Sequence, residues 1–213
     1  MYRYILFDLD GTLLDTFVGV SRSVSYALEY FGKPVPRGKE MLRYLGPPLI
    51  ESFQKLAGMS KNEAEAAVKK FRERYETAGV YEYGRFEDIK GVLSALREKG
   101  CTLAVATAKL EDIAKIMLEH AALTEEFAFI GGSARTEDRI SKSQVIAYVL
   151  ENLGNPDKEE VLMVGDREND VLGAKENGIA CCGLLCGYGS REELEKNGAD
   201  HIVNFAADIL QLI

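Results

Sequence analysis

The sequence predicts an α/β fold: a parallel sheet with helices on both faces, interrupted after its first strand by an all-helical insertion. Three observations carry this. Short, wholly apolar runs recur along the 213-residue chain, each followed by an amphipathic stretch. The runs lack the in/out alternation of a half-exposed sheet, so both faces are buried, as in parallel sheets covered by crossover helices. One long interval, 17–83, breaks the rhythm and holds no convincing strand.

Taken in order, Tyr4–Leu9 (YILFDL) reads as the first strand. Phe17–Phe31 then places Val20, Val24, Ala27, Leu28 and Phe31 at helical spacing. Leu45–Leu49 (LGPPL) is turn chemistry, and Ser60–Ala78 opens with a capping box, Ser60 and Glu63, before running as a charged amphipathic helix. These features predict a helical cap domain over 17–83, hinged near Asp15–Phe17 and Tyr81–Phe86, inserted into an α/β core of residues 1–16 and 84–213. In the core, strands are predicted at Thr102–Thr107, Phe127–Ile130, Val161–Val164, Ala180–Leu184 and His201–Val203. Helices alternate with them at Asp88–Lys99, Asp112–Ala121, Ser141–Leu153, Asn169–Asn177 and Ser190–Asn197. Ser190 and Glu193 have capping-box spacing, and Gly100, Gly154, Gly178 and Gly198 follow helix ends. Such alternation gives right-handed crossovers and a Rossmann-like core.

Composition narrows the function classes. Hydrophobic residues are 46% and charged residues 28%, enough for a sizeable core. A net charge of −8 disfavours a polymeric nucleic acid as partner, whereas a few local cations and backbone amides still suit a small anion. No run reaches the ~18 apolar residues of a membrane span, and the N-terminus turns acidic too early for a secretory signal. Cys101, Cys181, Cys182 and Cys186 read as reduced thiols, so the expected location is the cytoplasm.

Four clusters fall at carboxyl ends of predicted strands, where open α/β sheets bind ligands. In Asp8-Leu9-Asp10-Gly11-Thr12, two carboxylates at i, i+2 leave one face of an apolar strand. Asp8 can attack an electrophile while Asp10 handles a proton, and Gly11 lets the turn tighten around an anion. A strand end turning into solvent would look the same. Thr107-Ala108-Lys109 offers a hydroxyl and amides for phosphate oxygens, or simply a capped turn. Lys142, beside Ser141 at a helix start, opposes the helix dipole, which hints at a partner anion, although a solvated lysine fits as well. In Gly165-Asp166-Arg167-Glu168-Asn169-Asp170, the two aspartates can converge on a hard cation such as magnesium or act as helix-capping acids. His120 and His201 sit beside no candidate nucleophile, and no phosphate loop, dinucleotide fingerprint or serine elbow occurs.

The order DLDGT, T-x-K, a lone lysine and GD-x-x-x-D resembles the haloacid dehalogenase superfamily of phosphohydrolases over nearly the whole chain. Segments GPPLIESF, GDRENDVLGAKENGI and GYGSREEL resemble its phosphoglycolate phosphatase-like subgroup, some members of which are 5′-nucleotidases. The resemblance implies a phosphatase that uses magnesium on a small phosphorylated metabolite and passes through an aspartyl-phosphate. Asp8 would be nucleophile and metal ligand. Asp10 would be acid and base, lending its carbonyl to the metal. Thr107, Lys142 and the amides of Asp10, Gly11 and Ala108 would hold the phosphoryl group, and Asp166 and Asp170 would hold magnesium. Ala108 departs from the serine or asparagine often found there. The insertion would choose the leaving group, with Arg22, Arg43, Gly46 and Pro48 as candidates. A phosphotransferase like beta-phosphoglucomutase and a non-catalytic binder of phosphorylated ligands are the competing readings. The resemblance leaves monomer and homodimer open.

Overall fold

The computed structural model describes residues 1–86, 88–136 and 138–213. The chain divides into two compact units, Met1–Asp15 with Arg85–Ile213, and Thr16–Gly84.

The first unit is built on a six-stranded parallel sheet. Its strands are β1 (Tyr4–Phe7), β4 (Thr102–Leu110), β5 (Phe129–Ser133), β6 (Val161–Gly165), β7 (Ala180–Leu184) and β8 (His201–Val203), in the order β5-β4-β1-β6-β7-β8. Two further strands, β2 (Leu14–Asp15) and β3 (Gly84–Arg85), pair as a short ribbon. With two residues each, they are too short to leave a sequence pattern. β1 is central because it is apolar on both faces. Leu6 lies level with Ala104 and Met163, and Phe7 with Val105 and Val164. Leu6, Ala104, Ala106, Val161 and Met163 join a core with Val145, Ile146 and Val149 of α7 (Lys142–Asn152) and Val171 and Ala174 of α8 (Glu168–Asn177). α5 (Ile89–Glu98) and α6 (Glu111–His120) also pack on the sheet, and α9 (Arg191–Asn197) lies against α8.

The second unit is helical: α1 (Phe17–Tyr30), α2 (Lys39–Leu42), α3 (Leu49–Ala57) and α4 (Lys61–Tyr75). α1 and α3 both pack on α4, burying Val24, Ala27, Leu28, Phe53, Ala64, Ala67 and Phe71. The Ser60 capping box closes as expected: the Glu63 N–H reaches the Ser60 hydroxyl at 3.3 Å, and the Ser60 N–H reaches the Glu63 carboxylate at 2.8 Å. Gly58, at φ +63°, ends α3 in a left-handed conformation that costs glycine little. Gly19 on α1 faces the Gly79 carbonyl so closely that a Cβ would overlap it.

Several boundaries differ from the sequence expectation. The first strand stops at Phe7, not Leu9, because the chain begins to curl there. α4 stops at Tyr75, not Ala78. The fourth strand continues to Leu110 through an irregular register after Ala106. The short helix α2 and the helix α3 flank the Leu45–Leu49 turn, in a stretch where the sequence predicts no helix. Ser190 caps α9 by accepting the Glu193 N–H at 3.1 Å, but the Glu193 carboxylate does not return to it. It binds the Arg167 guanidinium and the Glu168 N–H instead, each at 2.8 Å.

Two substitutions test this packing. Leu6→Ala, at a fully buried position of the central strand, should lower unfolding free energy in urea by about 2–5 kcal/mol. Ser60→Ala should cost about 0.5–2 kcal/mol through loss of the α4 cap.

Candidate active site

Asp8 follows the last residue of β1, and its N–H still donates to Val164 O at 2.9 Å, so its position is set by the sheet. Beyond it the chain folds back. The Leu13 and Leu14 N–H groups both reach Leu9 O at 3.0 Å, and Gly11 takes φ +81°, where a side chain would be strained. A Cβ at Gly11 would also land on the Asp166 carboxylate. Asp10, in this turn, has its Oδ2 3.1 Å from Lys109 Nζ, while its Oδ1 is buried with no hydrogen-bond partner among the described residues.

Asp166 follows β6 and is wholly buried. Its Oδ2 accepts the Tyr188 N–H at 2.7 Å and its Oδ1 accepts the Thr12 hydroxyl at 3.3 Å. Asp170 lies in the first turn of α8, where its Oδ2 accepts the N–H groups of Asp166 (3.1 Å) and Arg167 (3.0 Å). Its other oxygen faces the site. The helix-capping and ligand readings of Asp170 therefore describe two oxygens of one carboxylate.

Lys142 is the first residue of α7, whose start is fixed by a capping box of Ser141 and Gln144. Its Nζ lies 2.7 Å from Asp8 Oδ1, 2.8 Å from Asp170 Oδ1 and 3.0 Å from Ala106 O. Its stem passes Gly173 of α8, where a Cβ would stand 2.8 Å from Lys142 Cγ. The solvated-lysine reading is thus replaced by a buried cation between two acids.

Asp8, Asp166 and Asp170 each present a carboxylate oxygen, and these atoms lie within 4.8 Å of one another. Burial pushes the Asp166 carboxyl well up, and the neighbouring Asp170 and Asp8 add to the effect against the Tyr188 N–H and Arg167. Burial also raises Asp170, with Lys142 opposing and Asp8 reinforcing the shift. For Lys142, burial works against the charge, but Asp170 and Asp8 outweigh it and raise its pKa. Arg167 is committed to Glu193 and Asp10 is balanced by Lys109. Three carboxylates facing one ammonium leave a formal charge of −2 among these groups. A small divalent cation with oxygen ligands fits that set in charge and donor chemistry.

The structure brings Asp8, Lys142, Asp166 and Asp170 into direct contact or near it. Thr107 is buried and its hydroxyl accepts the Lys109 N–H at 3.2 Å, while Ala108 is exposed. Arg22, Arg43, Gly46 and Pro48 lie in the helical unit. Arg22 is held by Glu82 at 2.7 Å, Arg43 is exposed at the end of α2, Gly46 takes φ +103° and Pro48 precedes α3. Sequence reasoning missed Gly173, and it placed Thr12, Lys109 and the Gly187-Tyr188-Gly189 loop within motifs without giving them a role of their own. A Cβ at Gly187 would strike the Asp166 side chain and the Gly11 carbonyl, and one at Gly189 would overlap the Asp166 carbonyl. The i, i+2 spacing of Thr107 and Lys109 was a usable signal, as was a glycine-rich loop shortly after a strand end.

Residues 5–184 match the haloacid dehalogenase-like hydrolase family. A 5′-nucleotidase of Pseudomonas aeruginosa is 39% identical over 211 residues, covering 99% of this chain and 94% of the relative. The tyrosine-protein kinase PtkA of Mycobacterium tuberculosis is 36% identical over 99% of this chain and 71% of its own length. The crystal structure of a predicted phosphatase from Clostridium acetobutylicum superposes with a TM-score of 0.94 at 36% identity, covering 100% of this chain and 98% of that one. The chain belongs to the haloacid dehalogenase-like hydrolase family.

The crowding of acids has a pH signature in the metal-free protein. Asp166 and Asp170 have folded-state pKa values raised above the unfolded one, so they cost nothing at low pH. Their penalty grows as pH rises from the unfolded value through the raised folded ones. A bound divalent cation favours the ionised acids and removes the penalty. Magnesium at about 100 times its Kd should add about 2.7 kcal/mol, raising Tm by roughly 5–11 °C at pH 7.5 and by less at pH 5. An unchanged melting curve at pH 7.5 would remove the metal from this site.

Proposed function

We propose that this haloacid dehalogenase-like hydrolase is a magnesium-dependent phosphatase that cleaves a small phosphorylated metabolite of the nucleoside 5′-monophosphate kind through a phosphorylated Asp8. The observation that supports it most is the buried set of Asp8, Asp166 and Asp170 around the Lys142 ammonium, with Asp10 two residues along the same turn. A binding protein needs no anionic nucleophile held against two other acids.

In this reading Asp8 attacks phosphorus, forming an Asp8–phosphorus bond as the ester bond to the leaving oxygen breaks. Asp10 gives that oxygen its proton. Asp10 then takes a proton from water, which attacks the phosphoryl group, frees Asp8 and releases phosphate. Lys142 offsets the charge of Asp8 and of the arriving phosphoryl oxygens, helped by Thr107 and the amides of Asp10, Gly11 and Ala108. Asp8, the carbonyl of Asp10, Asp166 and Asp170 would hold magnesium. When bound, it supplies positive charge to the phosphoryl oxygens.

The nucleotide class rests on the 5′-nucleotidase relative, whose identity extends over nearly all of both chains. The helical insertion is read as the cap that selects the leaving group. Within it, Arg22 is already paired with Glu82, so the weight falls on exposed Arg43 and the Gly46–Pro48 turn. The similarity to a tyrosine kinase favours a second reading, in which a hydroxyl replaces water as acceptor of the Asp8 phosphoryl group.

A phosphate-release screen over phosphometabolites with magnesium tests both. Nucleoside 5′-monophosphates should lead in kcat/KM, and free phosphate should exceed phosphoryl transfer to hydroxyl acceptors. Excess chelator should abolish turnover, and calcium should support it poorly. Asp8→Asn should abolish it too, while Asp10→Asn should lower it roughly 10²–10⁴-fold. Near wild-type turnover by Asp8→Asn would rule out covalent catalysis there. Arg43→Ala should alter the ranking of substrates more than the rate with a small aryl phosphate; an equal loss on all substrates would make Arg43 structural.

A further inference from the structure

Tyr188 makes two bonds in two directions. Its backbone N–H donates to Asp166 Oδ2 at 2.7 Å, and its phenol donates to Asp15 Oδ1 at 2.9 Å. Asp15 ends β2, the strand that pairs with β3. On the first side there is little slack. Thr12 holds the other Asp166 oxygen, and Cβ atoms at Gly11, Gly187 or Gly189 would collide with Asp166. The carboxylate is therefore boxed in by the Gly11 turn and the 187–189 loop.

We propose that Tyr188 is a positioning residue for the metal site, which sets the orientation of the Asp166 carboxylate through its amide because its phenol is anchored to Asp15. This rests on the reading of Asp166 as a magnesium ligand. Groups that orient a ligand from behind commonly change metal affinity without touching the metal. Tyr188→Phe removes the hydroxyl alone and leaves the Asp166 donor in place. The loop then loses one of its anchors, and the amide that orients Asp166 Oδ2 is held less firmly. Asp15→Ala cuts the same tether from the other side, whereas Asp15→Asn keeps an oxygen acceptor for the phenol.

The test is magnesium titration of the full chain without substrate, followed by calorimetry and by thermal shift, with each variant's melting curve in chelator as a folding control. Tyr188→Phe and Asp15→Ala should each weaken magnesium binding by about 10-fold, the lower end for such supporting partners. Asp15→Asn should bind within about twofold of wild type, and the Tyr188→Phe/Asp15→Ala double variant should be no weaker than either single one, as expected when both break one bond. Wild-type affinity in both single variants overturns the proposal. So do additive losses in the double variant, or a loss in Asp15→Asn as large as in Asp15→Ala, which would implicate the charge of Asp15 and not its hydrogen bond. If Tyr188→Phe fails to fold, the Asp15 pair alone decides between these outcomes. A wild-type chain that binds no magnesium overturns the metal reading instead.

Discussion

The site depends on one unfavourable interaction, the mutual repulsion of Asp8, Asp166 and Asp170 in a buried cluster. Two like charges about 4 Å apart repel by about 4 kcal/mol at an effective dielectric of ~20, and here three meet with one ammonium between two of them. The arrangement persists because acids are held from behind. Asp170 uses one oxygen to close the start of α8, and Asp166 is fixed by the Tyr188 amide and the Thr12 hydroxyl. The charge left over is thus fixed in place before any ligand arrives. A site of this kind reorganises little when an ion or a phosphoryl group enters.

The sheet supplies the convergence. β1 lies between β4 and β6, with Phe7 level with Val105 and Val164. Asp8 is one residue past that register, and Thr107 and Asp166 are two residues past their own partners, so all three emerge at the carboxyl edge of adjacent strands. The chain also changes direction there, running outward through β4 and β5 before returning to β6 on the other side of β1. Helices leave such an edge N-terminus first. α7 and α8 accordingly deliver Lys142 at a first position and Asp170 in a first turn. The unfavourable placement of a lysine at a helix start is offset by the two carboxylates it meets.

The core was legible because it obeys local rules. Apolar runs at 102–107, 161–164 and 180–184 read as doubly buried strands, and each lies within an observed strand; 201–203 is also a strand, but it forms the sheet edge and is only half-buried. Asp8, Asp10 and Asp166 stood out because they follow apolar strands at the edge where open sheets bind ligands. What escaped was what depends on contacts between distant segments. Lys109 was visible in T-x-K, but its partnership with Asp10 requires β4 to continue past Thr107 beside the first turn. Gly173 looks like an ordinary helix glycine in sequence, and only the packing shows that Lys142 occupies the space beside it, as Asp166 does beside Gly187. Glu193 had the spacing of a capping box, yet Arg167 and the Glu168 amide, some 25 residues away, compete for it with a cation and a second donor. α2 is a single turn, too short for periodicity to register, and β2 and β3 are shorter still.

The chemistry also divides the labour within the chain. In the proposed mechanism Asp8, Lys142 and the strand-end amides address a phosphoryl group, which is common to every phosphate ester. There Asp10 would exchange a proton with whichever oxygen leaves or arrives, and an alcohol oxygen and a water oxygen would present it with the same task. None of these residues can tell one ester from another, or water from a hydroxyl acceptor. Relatives named for hydrolysis and for phosphoryl transfer can therefore share this core at comparable identity. The choice between esters must be made by groups that address the rest of the substrate, and the choice of acceptor by whatever admits or excludes water. In the proposed reading the helical unit would make the first choice; it carries an exposed arginine at Arg43 and a turn in which Gly46 takes a left-handed conformation and two prolines limit the rest. That unit has its own buried core around Leu28, Phe53 and Phe71, so the turn can vary without loss of the unit's packing.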